Sequence, residues 1–136
     1  MENAEDILMH LTSFEKNPPD AVPKTLDDYL EYIARTGNTV FPWPKIKPLF
    51  RFKLEKVISE FYQSCPVDDT PQVPNVEPFK FGTIKEKIFE QLESFTGIPF
   101  TIQRLCELMT QPKKHYRRTD KFMRGLEKIM LVGQGI

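Results

Sequence analysis

Twelve prolines divide this 136-residue sequence into short segments, and that division constrains the fold more than any other feature. Proline has no backbone N–H, and it biases the residue before it away from the helical conformation. Two proline-rich stretches, 17–23 and 65–79, therefore predict breaks in regular structure. Between the breaks, apolar side chains recur every three or four residues, which is the spacing of one helix face. The pattern predicts an all-α protein.

Six helices are predicted from these apolar stripes. They cover approximately residues 3–16, 25–37, 48–64, 83–96, 101–109 and 119–130. Thr25 and Thr101 are the predicted N-caps of the second and fifth helices, because a threonine hydroxyl can accept a bond from an amide of the first turn. Thr83 and Glu86 have the T-x-x-E spacing of a capping box at the start of the fourth helix.

The predicted helices form one domain, residues 1–136, folded as a compact bundle in two halves. The halves are 1–64 and 80–136, and the Pro-rich linker 65–79 joins them. Phe100 and Leu105 have the spacing of a hydrophobic staple across the start of the fifth helix. The run 130–132 has the composition of a short strand, although no other stretch offers it an obvious partner.

The charge of the chain is zero overall but unevenly distributed. Residues 1–40 contain eight acidic and three basic side chains, whereas residues 111–136 contain seven basic and two acidic ones. This polarity can steer a charged partner towards the protein, or the two ends can pair within the fold. Both interpretations stay open at this point.

Two cysteines, Cys65 and Cys106, are too few for the disulfide framework of a small secreted domain. The acidic N-terminus has neither the basic region nor the apolar run of a signal peptide. The apolar runs are also far shorter than the roughly 20 residues that a membrane helix needs. We therefore expect a soluble intracellular protein that does not bind a membrane.

No catalytic, cofactor-binding or metal-binding set is recognisable in the sequence. Cys106 with His115 as its base is the nearest approach to a nucleophile, but Cys106 falls on an apolar stripe, where cysteine behaves as a small core side chain. His10, His115 and the two cysteines lack the spacing of metal ligands. The glycine-rich signatures of nucleotide-binding loops are absent as well. We expect no enzymatic activity, no cofactor and no metal.

A helix-turn-helix-like module for nucleic acid is the alternative function. Helix 101–109, a basic loop and helix 119–130 have its outline, and the basic segment 113–128 would suit phosphate. Against it, the loop is longer than the turn of about 3–4 residues in that motif, and the whole chain is neutral. The last helix also lacks the Asn, Gln and Arg cluster that reads base edges. These observations favour a protein partner over nucleic acid.

Four aromatic rings lie beside prolines, where helical periodicity does not assign them to the core. They are Phe41, Trp43, Phe79 and Phe81. Large rings with a basic rim suit a hot spot in a protein interface. The same rings could instead fill the junctions between helices.

Two motifs give the sequence a family resemblance. "FRFKLEKV" (50–57) and "GIPFTIQRLCELMTQPKKHYRRTDKFMRGLEK" (97–128) closely resemble the N-terminal region of regulatory subunit 2 of the serine/threonine protein phosphatase 4 complex. The resemblance extends over nearly all 136 residues and weakens before residue 25 and across 65–78. Family members usually continue into a long, acidic, disordered tail that these residues do not include.

The resemblance implies a non-catalytic subunit that binds the phosphatase 4 catalytic subunit, together with a further regulatory scaffold subunit. It also implies roles in DNA-damage responses and at the centrosome, with the protein in the nucleus and cytoplasm. Metal ions would belong to the catalytic subunit. Residues that lie in the family motifs but off the apolar stripes form the predicted contact surface, with Trp43 added as an aromatic anchor. They are Lys53, Lys56, Arg104, Tyr116, Lys121 and Arg124.

Overall fold

The structure is a computed structural model, and it describes residues 3–65 and 79–133. These residues form seven helices. They are α1 (Ala4–Lys16), α2 (Lys24–Thr36), α3 (Trp43–Ser64), α4 (Phe81–Ser94), α5 (Ile102–Thr110), α6 (Pro112–His115) and α7 (Thr119–Gly133). No strand occurs in the described ranges, and the all-α prediction is confirmed. Except for Cys65 and Phe79, the predicted linker 65–79 lies outside the described residues.

The ends of α2 show which local signals decided its length. Gly37 ends the helix in the left-handed conformation with φ of 74°, and its N–H donates to the carbonyl of Ile33 at 2.8 Å. Glycine adopts this conformation without the steric cost of a Cβ atom. The predicted N-cap at Thr25 is wrong, because the helix begins one residue earlier, directly after Pro23.

The central helix α3 begins five residues before the predicted start at Pro48. Pro42 is extended at the N-cap and Pro44 lies in the first turn, where a missing N–H costs nothing. Pro48 therefore lies inside the helix, and the carbonyl of Pro44 loses the donor that residue 48 would normally supply. The early start carries Trp43 and Ile46 into the core.

Helix α4 also begins earlier than predicted, at Phe81, so the expected capping box of Thr83 and Glu86 does not form the helix start. The ring of Phe81 stacks on the ring of Tyr62 with centroids 4.1 Å apart. This contact joins α4 to the last turns of α3. The start of α4 has no side-chain cap, and the first helical residue packs against α3 instead.

Helix α5 begins after Thr101, as predicted, but the local contacts differ from the expectation. The hydroxyl of Thr101 donates to the carbonyl of Ile129 in α7 at 2.8 Å, and it makes no cap bond to the first turn of α5. Phe100 is 83% exposed, so the predicted staple between Phe100 and Leu105 is wrong. The suggested strand at 130–132 is wrong too, because these residues continue α7.

A single hydrophobic core joins buried side chains from every helix except α6. The predicted stripes account for most of it, although Leu8, which has the spacing of the stripe on α1, is 41% exposed. The most extensive helix contacts pair α2 with α5 and α4 with α7. Between the first of these pairs, the amide of Gln103 donates to the carbonyl of Ala34 at 3.1 Å. In the described ranges, no helix combines the length and apolarity needed to cross a bilayer.

Candidate partner-binding surfaces

Trp43, the predicted aromatic anchor, belongs to the core and is only 3% exposed. Its indole N–H donates to the carbonyl of Phe95 at 3.1 Å. The rings of Phe50 and Phe95 approach it edge-on, with centroids at 5.5 and 6.2 Å. The expected exposure of Trp43 is therefore wrong, because the early start of α3 turns the ring towards the end of α4. Trp43 is therefore not part of an accessible surface.

The other three rings beside prolines also pack against the core. Phe41, Phe79 and Phe81 are half-buried, and Phe41 meets Tyr29 edge-on at 5.8 Å. The hydroxyl of Tyr29 donates to the carbonyl of Thr39 in the loop that leads to Phe41. These rings fill helix junctions, which was the second of the two interpretations open from the sequence.

Lys53 and Lys56 lie one turn apart on α3 but have different surroundings. The ammonium of Lys53 is 2.9 Å from Asp27 of α2, and its side chain is only 18% exposed. The ammonium of Lys56 is exposed and lies 5.6 Å from the centre of the Phe52 ring. Lys53 therefore ties α3 to α2, whereas Lys56 keeps its charge accessible to a partner.

Arg104 lies in the first turn of α5, and its side chain reaches His115 at the end of α6. Its guanidinium donates to Glu107 at 3.0 Å and lies 3.4 Å from Nδ1 of His115. The side chain is 43% exposed, so a partner can reach it. Arg104 is thus an accessible cation that already contacts the short basic helix.

Tyr116 has a structural contact that the sequence did not reveal. Its ring packs near Phe122 with centroids 6.0 Å apart, and its hydroxyl touches the backbone of α7 where Gly125 has no side chain. A Cβ atom at position 125 would lie 2.4 Å from that hydroxyl. Tyr116 therefore fixes the segment after α6 against α7.

Lys121 is exposed and Arg124 half-buried, one turn apart on α7. The seven predicted residues are consequently not one cluster. The structure brings Arg104 and the α6 segment together, leaves Lys56 over the Phe52 ring of α3, and buries Trp43. Accessible positive charge is the property that Lys56, Arg104 and Lys121 share.

One group of apolar side chains is exposed although the sequence did not predict it. We call it the apolar knob, and it consists of Ile98, Phe100, Leu131 and Val132, with exposures of 40, 83, 56 and 56%. The N–H of Phe100 donates to the carbonyl of Gly133 at 3.1 Å, which holds the α4–α5 connection against the end of α7. Pro99 between the two exposed residues is buried. Ile98, Pro99 and Phe100 are all apolar, so nothing in the sequence distinguishes the buried residue from the two exposed ones.

A groove runs between α3 and the α5–α6 junction, with a volume of about 860 Å³. We call it the basic groove, because Lys53 lines one wall and Lys113 and Lys114 line the other. It is separate from the apolar knob, since no residue lines both. The sequence singled out the segment containing Lys113 and Lys114 only as a basic loop.

The two thiols differ sharply in their surroundings. Cys106 is fully buried, and burial raises the pKa of its thiol above the ordinary value, whereas Cys65 is half-buried at the end of α3. Thiolates are the reactive form, so Cys106 is inert in the folded protein. This confirms its predicted place in the core.

We expect one thiol per chain to react with Ellman's reagent at neutral pH and the second to react only after denaturation. The release of thionitrobenzoate, followed by its absorbance, measures both phases. The Cys65→Ala variant should lose the fast phase and keep the slow one. A fast phase that survives in that variant would contradict the burial of Cys106.

Comparison with known proteins identifies the family of this chain. The PPP4R2 family model matches residues 7–135. The chain belongs to the PPP4R2 family. Among the curated relatives, "Serine/threonine-protein phosphatase 4 regulatory subunit 2" of Drosophila melanogaster is 47% identical over 133 residues, which are 97% of this chain and 22% of the relative. No solved structure gives a significant match.

Vertebrate members of the PPP4R2 family are similar to the same extent. The Homo sapiens regulatory subunit 2 and the Xenopus laevis regulatory subunit 2-B are each 48% identical over 122 residues, which are 90% of this chain. The match covers 29% of the human relative and 31% of the frog one. The chain therefore spans less than a third of the length of these relatives.

Within the described residues, no group of three His, Cys, Asp or Glu side chains could hold a metal.

Proposed function

We propose that this chain is a non-catalytic domain of a phosphatase 4 regulatory subunit and that it binds the phosphatase catalytic subunit directly. The observation that carries the proposal is the family match over residues 7–135. The relatives are named as regulatory subunits of serine/threonine-protein phosphatase 4, and they align with almost the whole of this chain. Binding would alter the assembly, location or substrate choice of the phosphatase.

The contact surface we propose combines accessible cations with the apolar knob. Lys56, Arg104 and Lys121, which are exposed, and the half-buried Arg124 remain from the sequence-based set. Lys53 and Tyr116 support this surface by fixing α3 to α2 and α6 to α7. Charged groups at an interface rim raise the association rate and select the partner.

The apolar knob supplies the contact that buries surface on binding. Phe100 is held in place through its backbone bond to Gly133 and through its buried neighbour Pro99. A rigid ring loses little conformational freedom when it enters a pocket, and aromatic anchors of this kind dominate binding energies. The ring of Phe100 is the most exposed side chain of the knob, at 83%, so it suits an apolar pocket on a folded partner.

Co-purification of this chain with the phosphatase 4 catalytic subunit tests the proposal. We expect a stable 1:1 complex with the wild type and weaker capture by the double variant Arg104→Glu/Lys121→Glu. The reversed charges should slow association and make binding less sensitive to salt. Surface plasmon resonance at two salt concentrations measures both effects.

The matched control is Lys16→Glu/Lys87→Glu, which changes the net charge equally at exposed lysines of α1 and α4. It should bind like the wild type. Absence of a complex with the wild-type chain would refute the proposed function. Equal loss of binding in both double variants would instead exclude the proposed surface.

No observation favours the alternative of a helix-turn-helix-like nucleic-acid module. The basic segment 113–128 includes three of the four residues of the short helix α6, and the names of the relatives refer to a phosphatase and not to nucleic acid. A regulatory scaffold subunit as second partner, and a nuclear, cytoplasmic or centrosomal location, stay predictions from the family resemblance.

A further inference from the structure

The basic groove has a shape that suits a short peptide. Its first wall is the face of α3 from Lys53 to Ser64, and its second wall is formed by the end of α5 and the start of α6. At a rise of about 1.5 Å per residue, that face of α3 is about 16 Å long. An extended peptide covers the same length with about five residues.

The floor of the groove is apolar. Val57, Phe61 and Met109 line it, and each is less than a tenth exposed. The rim is polar, with Gln63 and Gln111 on opposite sides. An apolar floor below polar walls can hold one hydrophobic side chain of a ligand while its backbone stays at the level of the rim.

The charge of the groove is positive on the α6 side. Lys113 and Lys114 are exposed, and neither makes an ion pair with any described residue. Lys53 is neutralised by Asp27 at 2.9 Å, and Glu60 is the acidic side chain on the α3 wall. The available cations therefore lie together on one wall, above the apolar floor.

Helix α6 holds these two lysines at defined positions. The N–H of Gln111 donates to the backbone carbonyl of Glu107 in α5 at 3.0 Å. The N–H of Tyr116 donates to the backbone carbonyl of Pro112 at 3.0 Å. Tyr116 is anchored on α7 at Gly125. Both ends of the basic turn are thus attached to longer helices, so a ligand would not need to order the turn on binding.

We propose that the basic groove binds an acidic peptide segment of a partner protein, with one apolar side chain on the floor and carboxylates beside Lys113 and Lys114. The complementary charge of the α6 wall selects the acidic residues, and the floor selects the apolar one. Nucleic acid fits less well, because a phosphate backbone needs a longer track of cations and would meet Glu60 on the opposite wall. This surface differs from the one assigned to the catalytic subunit, and its test needs no phosphatase.

Selection of random 12-residue peptides displayed on phage, with the folded 136-residue chain as bait, tests the proposal. We expect enrichment of peptides with several Asp or Glu residues around one large apolar residue. The most enriched peptide should bind the Lys113→Glu/Lys114→Glu variant at least tenfold more weakly, as measured by fluorescence anisotropy. Lys16→Glu/Lys87→Glu, with the same change in net charge, should bind it within twofold of the wild type.

A second readout distinguishes the groove from simple attraction to surface lysines. With methionine methyl groups labelled by ¹³C, peptide binding should shift the resonance of Met109 on the floor and leave that of Met9 on α1 unchanged. Enrichment without acidic residues, an unshifted Met109 signal, or equal weakening by the control variant would each overturn the proposal. So would an oligonucleotide of twenty thymidines that displaces the peptide and depends on the same two lysines.

Discussion

Replacement of Trp43 by alanine is expected to lower the free energy of unfolding by about 3–5 kcal/mol. The ring is 3% exposed and lies between the rings of Phe50 and Phe95. Its removal would leave a cavity at the start of α3 and would leave the carbonyl of Phe95 without its indole donor. Since the free energy of unfolding of small domains is only about 5–15 kcal/mol, this single change would remove a large part of it.

Chemical denaturation followed by helical circular dichroism measures this effect, because Trp43 is the only tryptophan and its fluorescence is lost in the variant. Trp43→Phe keeps a ring in the cavity and should retain more of the stability than Trp43→Ala. Phe100→Ala serves as the control for removal of an exposed ring, and we expect a change within about 0.5 kcal/mol. Wild-type stability in Trp43→Ala would show that the residue is not in the core.

Replacement of Phe100 by serine is expected to weaken binding to the phosphatase 4 catalytic subunit by about 30-fold or more, with little change in stability. A hot-spot residue contributes about 2 kcal/mol or more, and 1.4 kcal/mol corresponds to about a tenfold change in affinity. Phe100 is 83% exposed, so the fold gains almost nothing from its ring. Its position is nevertheless fixed by the backbone bond to Gly133.

Isothermal titration calorimetry with the purified catalytic subunit measures this loss. Met9→Ser is the matched control, because Met9 is also exposed and apolar, at 61%, but lies on α1. Unchanged affinity in Phe100→Ser, with binding by the wild type intact, would remove the apolar knob from the proposed interface and would leave the proposed function standing.

The positions that the sequence predicted well are those set by helical periodicity. Ile84, Ile88, Leu92 and Phe95 are all buried, as their spacing indicates. Cys106 lies in the core because its neighbours on the stripe do. A repeat of 3.6 residues is a property of the local chain, so it is readable without knowledge of the partner helices.

The starts of helices were predicted less well. Thr25, Thr83 and Pro48 marked plausible starts, yet α2, α4 and α3 begin before them. A cap bond is worth about 1 kcal/mol, whereas burial of an aromatic ring is worth several. At α3 the extra turn buries Trp43, so packing outweighs the local signal.

The candidate surfaces show the same difference between features set by the local sequence and features set by packing. Charge was visible in the sequence, and Lys56, Arg104 and Lys121 are indeed accessible. The sequence did not show whether a ring beside a proline faces solvent. Trp43 was predicted as a surface anchor and is buried, whereas Phe100 was predicted to pack on Leu105 and is exposed. Both outcomes depend on contacts with residues more than thirty positions away, the carbonyl of Phe95 for one and that of Gly133 for the other.

The sequence by itself determined the helical class, the buried stripes, the inert cysteine and the family to which the chain belongs. Only the tertiary structure decided that Phe100 is presented to solvent, that Trp43 is not, and that Lys113 and Lys114 share a groove with α3. The physical reason is the range of the interactions. Periodicity and proline act within one or two turns of chain, whereas exposure depends on which distant helix covers a side chain.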